Sequence, residues 1–422
     1  MKNWWILTGL CCILGACSTS IKEDSNLVEN LMRSKPGQFQ TVLDSADFYE
    51  VQVIYTQINR DENNVPSFKS FYFNFDSSRY FYPASTVKLP AVLLSLEKLK
   101  QLNVEHLDKH TPMLHDSVYA GQLSVEKDTT SENNMASIAH YAKKILVVSD
   151  NDAYNRLYEF MGQEEFNKRL HNKGFASTRI LHRLERPLSR DENAHTEAVT
   201  FFQKHGPVYE QPMLVNENLY EAPEKILKGK GFLKNDTLIN EPFDFSYKNF
   251  YPLNEQQRLL RTIIFPQTVP SSQRFDITDE DRAFVLKYMS QLPRETQYPP
   301  YYQDTAYYTD AYCKFFMFGG KGSIPANIRI FNKVGDAYGY LIDNAYVVDY
   351  EKGIEFMISA VILSNKDGIF NDGKYDYQTV GFPFLKNLGN VVYEYELTRP
   401  RKVKPNLTEF VFEYDARLNS NN

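Results

Sequence analysis

Strand-like runs lie towards both ends of this chain and helical periods fill its middle. That distribution is what most limits how it can fold. Residues 50–58 and 67–75 alternate apolar and polar side chains around a turn at 61–66, and they read as two strands. Strands return only at 328–333, 338–348 and 356–363, followed by a helix around 379–388. The stretch 92–201 is mostly helical in period, most clearly at 135–148 and 151–161. The pattern predicts a sheet assembled from distant segments with a helical domain inserted between them.

The first strand pair leads into Arg79-Tyr-Phe-Tyr-Pro-Ala-Ser85-Thr-Val-Lys88-Leu-Pro90. Residues three apart share a face of a helix, so Ser85 and Lys88 are predicted side by side. A serine hydroxyl needs a base within reach, and lysine serves as one when its pKa is lowered by a helix N-terminus or a second cation. Ser-x-x-Lys also occurs at Ser95/Lys98 and Ser124/Lys127. Context favours Ser85: an aromatic, strand-like run precedes it, and Leu89, Val92, Leu93, Leu96 and Leu99 follow at the spacing of a buried helix.

Residues 1–17 carry one lysine, an apolar core at 4–14 and then Leu14-Gly-Ala-Cys17, which reads as an export signal with a lipobox. The apolar run is too short to span a bilayer. Cys17 is expected to be the lipidated first residue of the mature protein, anchoring it to the cell envelope. Ser18 and Lys22-Glu-Asp24 point to the outer membrane, at its periplasmic face or the cell surface. Loss of one lysine from a formal charge of −6 leaves −7. With no basic block, nucleic acid is excluded as a partner. Cys313 is the one cysteine beyond the leader, so no intramolecular disulfide is expected. Residues 18–45 read as a polar tether, 46–395 as the folded domain and 396–422 as a C-terminal tail.

Two further motifs follow in order: Ser149-Asp-Asn151 at the joint of two helical runs, and Lys333-Val-Gly335 at the start of a late strand. Taken singly, the first reads as a helix cap and the second as an edge-strand lysine. Ser-x-x-Lys, Ser-Asp-Asn and Lys-Thr-Gly in that order form the signature of class A β-lactamases and penicillin-binding proteins. The chain resembles a class A β-lactamase-type serine hydrolase over roughly 48–388. Residues 149–185 and 324–347 carry the most continuous similarity.

The resemblance implies an α+β fold, an antiparallel sheet with flanking helices beside an all-α domain, with the site in the groove between them. It implies Ser85 as nucleophile, Lys88 as its base or relay, and Ser149 as proton donor to the leaving nitrogen. Asn151, Lys333, Gly335 and Asp336 are implied in substrate binding, with the backbone N–H groups of Ser85 and Asp336 as the oxyanion site. Glu185, 36 residues after Ser149, matches the deacylating glutamate, against an alternative role as an ion pair with Arg183 or Arg186. Two positions depart from the family: Val334 replaces a hydroxyl residue, and Arg186-Pro-Leu-Ser189 lacks the asparagine that helps hold the hydrolytic water.

The 148 residues from Glu185 to Lys333 are about twice the interval the resemblance implies, which places an insertion within 200–320. Its aromatics either pack it onto its host or line a binding rim. His106, His110 and His115 lack partner ligands for a metal, and no cofactor is expected. The expected function is a monomeric, lipid-anchored hydrolase forming an acyl-enzyme on a small-molecule β-lactam. The alternatives are a D,D-peptidase or esterase acting on cell-wall peptide, and a non-catalytic module binding such peptide or glycan.

Overall fold

The computed structural model describes residues 26–119, 122–218, 220, 222 and 224–415. The leader and Cys17 lie outside the described residues.

Gln52–Arg60 (β1) and Pro66–Phe73 (β2) form an N-terminal hairpin, and Ile328–Ala337 (β3), Tyr340–Asp349 (β4) and Ile354–Leu363 (β5) a C-terminal meander. All neighbours are antiparallel in the order β3-β4-β5-β1-β2, because β1 pairs with β5, Gln52 opposite Val361. One sheet is thus closed by the two distant parts of the chain. The helices in chain order are Asn26–Arg33 (α1), Pro36–Leu43 (α2), Lys88–Leu102 (α3), Ile138–Val148 (α4), Asn151–Met161 (α5), Gln163–Asn172 (α6), Arg190–Ala194 (α7), Leu253–Ile264 (α8), Asp279–Ser290 (α9) and Phe382–Thr398 (α10).

Strand β4 is buried along its whole length, as a central strand with both faces covered must be. Its two-residue period sends Tyr340, Ile342, Tyr346 and Val348 into one core and Leu341, Ala345 and Val347 into the other. The first core contains α8 and the helical domain; the second is closed by α1, α2 and α10. Helix α3 is buried from Lys88 to Leu99, which makes it the axis of the helical domain. This is the expected α+β architecture.

Several boundaries differ from the sequence expectation. Residues 26–43 are not a tether: Val28, Met32, Phe39 and Val42 recur at helical spacing and are buried, and Phe39 meets Phe384 of α10 edge-on. The tail is not detached at 396 either. Helix α10 runs on to Thr398, the fully buried Glu396 holds Tyr55, Arg399 and Arg401, and Leu407 and Phe410 enter the core. The middle of the chain is less helical than its periods suggested, since 103–137 is largely irregular and Val199–Gln203 is a strand. The interval assigned to an insertion is not one block. Short strands fill 206–244, whereas α8 and α9 pack directly on the main sheet.

Candidate active site

Strand β3 and the start of α3 meet in the middle of a groove. Ser85 lies in the 3-10 turn Ala84–Val87, which continues into α3 at Lys88. Ala84 is held at φ 47°, a left-handed conformation that costs a non-glycine residue about 1–3 kcal/mol. Strand β3 presses on this turn. A Cβ at Gly335 would lie 2.7 Å from the Pro83 carbonyl oxygen and 3.1 Å from Ser85 N, so only glycine permits the approach. The close contact puts the Ser85 amide beside Gly335, the residue before Asp336, whose amide is its implied partner in the oxyanion site.

The second motif is the joint itself. Helix α4 ends at Ser149 in a left-handed conformation (φ 64°), and Asp150 then caps α5 by accepting from Ala153 N at 2.8 Å. The cap explains Asp150 and leaves the side chains of Ser149 and Asn151 for the groove. Lys88 Nζ donates to Ser149 O and to Asn151 Oδ1, each at 2.5 Å, and lies 3.3 Å from Ser149 Oγ. Lys333 Nζ donates to Ser149 Oγ at 2.7 Å and to Val334 O at 3.1 Å.

These contacts set the protonation states. Lys88 is fully buried; that desolvation first, and the Lys333 ammonium second, hold its pKa well below the usual lysine range. Burial brings Lys333 down to about 8 and raises the Asp336 carboxyl against the pull of Lys88 and Lys333. A neutral Lys88 has two N–H groups, taken by the two carbonyl oxygens, and one lone pair. Ser149 Oγ accepts from Lys333 and also stands 3.3 Å from Lys88 Nζ. Lys333, Ser149 and Lys88 thus form one continuous chain of hydrogen-bonding contacts. Among the described residues none is hydrogen-bonded to Ser85 Oγ, and Ser85 lines the cavity.

Glu185 reaches the same cavity from a loop that is over-determined behind it. Asn155 Oδ1 accepts from Leu184 N and its Nδ2 donates to Leu184 O. Asn193 Oδ1 accepts from Arg183 N, and its Nδ2 donates to Leu188 O and Ser189 O. Arg183 pairs with buried Glu159, not with Glu185, and braces the backbone at Glu192 O and His195 O. Glu185 itself is exposed, at φ 54°. Ser189, where the family resemblance implies an asparagine, is occupied in a capping box with Glu192 at the start of α7.

Val334 lines the cavity but is buried, and the residue opposite it on β4 is Asp343. Asp343 accepts from Phe315 N, Phe316 N and Asn332 Nδ2. The other two Ser-x-x-Lys pairs have structural roles: Ser95 is buried inside α3 while Lys98 binds Phe160 O and Glu165, and Ser124 and Lys127 are exposed.

The cavity has a volume of about 830 Å³. Besides Ser85, Ser149, Asn151, Glu185 and Asp336, its wall includes Tyr82, His182, Lys248, Cys313 and Tyr338, none of which the sequence motifs select. Burial pushes the Cys313 thiol up to about 11. The aromatics of 200–320 divide: Phe245, Tyr251, Tyr302 and Phe316 are buried, while Phe243, Tyr312 and Phe315 line the cavity.

The model of a β-lactamase enzyme family matches residues 37–206. That stretch is less than half of the chain, and over it the sequence is similar to the β-lactamase enzyme family. The matched segment contains Ser85, Lys88, Ser149, Asn151 and Glu185, while Lys333, Gly335 and Asp336 lie beyond it. No curated protein matches the chain. Among solved structures, a β-lactamase from Chitinophaga pinensis is similar at 11% identity and a TM-score of 0.48, covering 85% of this chain and 99% of that one. A class A β-lactamase from Clostridium kluyveri is similar at 12% identity and a TM-score of 0.47, covering 86% and 98%. The groove thus brings the segment similar to the family together with a late strand pair that lies beyond the match.

Proposed function

We propose that this serine hydrolase forms an acyl-enzyme at Ser85, acts on β-lactams by class A chemistry, and is held at the cell envelope by a lipid on Cys17. The chain of contacts from Lys333 through Ser149 to Lys88, three residues on from Ser85, is the observation that carries the reading. A desolvated amine flanked by a second cation is a base at neutral pH, and a binding module has no use for one. In the proposed reaction Lys88 takes the Ser85 proton as Oγ attacks the lactam carbonyl. The Ser85 and Asp336 amides hold the developing oxyanion, each such donor being worth about 3 kcal/mol. Ser149 then protonates the departing nitrogen, with Asn151 and Lys333 holding the ligand and Glu185 activating the water that releases the acyl group.

The test is a fluorescent penicillin with mass spectrometry of the labelled peptide. The adduct is expected on Ser85, not on Ser95 or Ser124, and Ser85→Ala is expected to abolish it. An adduct elsewhere, or labelling that survives the substitution, overturns the reading. A second reading, a D,D-peptidase or esterase on cell-wall peptide, is favoured by two observations: Val334 supplies no hydroxyl for a ligand carboxylate, and the Ser189 hydroxyl is committed to a helix cap. The first weakens acylation, by about ten- to a hundred-fold for one hydrogen bond to a charged group, and the second weakens release of the acyl group.

For the anchor, Cys17→Ser is expected to move the protein from the membrane fraction to the soluble fraction after cell lysis. Continued fractionation with lipid sinks the lipidation proposal.

A further inference from the structure

Among the described residues, the cation at the neck of the groove next to Tyr338 has no counterion. Lys248 is half-buried, and among the described residues its Nζ has neither a hydrogen bond nor an ion pair. It stands 6.0 Å from the ring centre of Phe243 and 5.9 Å from that of Tyr338. Aromatic faces stabilise an ammonium but leave its N–H donors unused. The buried or half-buried Lys88, Lys98, Lys314 and Lys333 all spend their donors on named oxygens. Burial lowers the Lys248 pKa, and among the described residues no acid stands beside it to offset that cost. Its neighbour His182 stays neutral, brought down to about 3 by burial and by Lys248. Lys248 and His182 line both the main cavity and an adjoining one of about 420 Å³, so the ammonium stands where the two spaces meet.

The direction along β3 tells which part of a substrate meets this cation. Lys333, bound to Ser149, marks one end, Gly335 lies against Ser85, and Tyr338 lies past the other end, in the two-residue turn to β4. Tyr338 and Gly339 both have positive φ, the signature of a type I′ hairpin, which swings the Tyr338 ring onto Tyr82 at 4.9 Å. A leaving group departing towards Ser149 leaves the acyl arm to run the other way, from Ser85 past Tyr82 and Tyr338. Three residues of strand from Gly335 to Tyr338 give that arm roughly 10 Å of length.

We propose that Lys248 binds a carboxylate on the acyl arm of the substrate, so that the preferred acyl donors are those carrying an anionic group on the side chain. The inference rests on the acyl-enzyme reading above for its orientation, and the contact itself is separately measurable. Acylation rates are compared for a penicillin with a phenylacetyl side chain and for its α-carboxylated counterpart, which differ by that carboxylate. The native chain is expected to favour the carboxylated compound by about tenfold, the range of one hydrogen bond to a charged group. Lys248→Met brings the ratio towards one, and Lys248→Glu brings it below one. A native ratio near one, or a ratio that Lys248→Met leaves intact, overturns the proposal. If neither penicillin acylates, the β-lactam reading has failed, and calorimetric titration with phenylmalonate decides this one. Binding that weakens about tenfold in Lys248→Met supports it, and equal binding of the two chains overturns it.

Discussion

Lys88→Met is expected to slow acylation of Ser85 by about 10²–10⁴-fold, the usual worth of a positioned general base. Methionine keeps the length and apolar stem of the side chain in a fully buried position and removes only the amine. Two effects on stability oppose each other. Removing a buried amine relieves a desolvation cost, while Ser149 O and Asn151 Oδ1 lose their donor at about 1–3 kcal/mol each. They are similar in size, so thermal unfolding is expected to shift by a few degrees only. The pH profile separates a base from a mere scaffold. Because the native pKa of Lys88 is depressed, native acylation rises as pH rises through that pKa, where the amine becomes the free base. The residual rate of Lys88→Met lacks this limb. A stopped-flow profile in which the variant keeps both rate and limb removes Lys88 from the chemistry.

The same depression makes stability depend on pH with a definite sign. A lysine with a lowered folded pKa is protonated more in the unfolded chain, so stability rises with pH between the folded and unfolded values. For Lys333 that window runs from about 8 up to the ordinary value of 10.5.

Glu185→Gln is expected to lengthen the life of the acyl-enzyme by about 10²–10⁴-fold while leaving its formation rate within a few-fold. The loop is fixed by the two amide side chains Asn155 and Asn193 and by Arg183, none of which contacts the substituted carboxylate. A glutamine is therefore held where the glutamate was, without its basicity. Adduct mass followed over time after a penicillin pulse reads the lifetime directly. An unchanged lifetime means that some other group or an incoming amine releases the acyl chain, and the protein is then a peptidase or esterase in mechanism.

Much of the sheet was legible because β1, β4 and β5 are apolar runs bounded by turn residues, and α5 because its period and its Asp150 cap agree. The motif residues were legible for a different reason: their types are constrained by chemistry, and the fold brings Lys88, Ser149, Asn151 and Lys333 within hydrogen-bonding distance. Helices α1 and α2 were missed because four buried apolar residues are diluted by charged and polar ones on the outer faces. The irregular stretch 103–137 borrowed a helical rhythm from side chains that pack as a loop. Lys248 could not be singled out, since what distinguishes it is the company of Phe243 and Tyr338 and the lack of an acid, and both are properties of the assembled groove.

The folding of α1 onto the body changes the mechanics of attachment. If Cys17 carries the lipid, a tether ending at 45 would have had a contour of about 95 Å, enough to range well out from the bilayer. With Asn26 already inside the first helix, eight residues remain between lipid and body, a leash of at most about 28 Å. An enzyme on so short a leash patrols a thin shell next to its own leaflet. Its working concentration is then a surface density, and its substrates are those that pass through that shell.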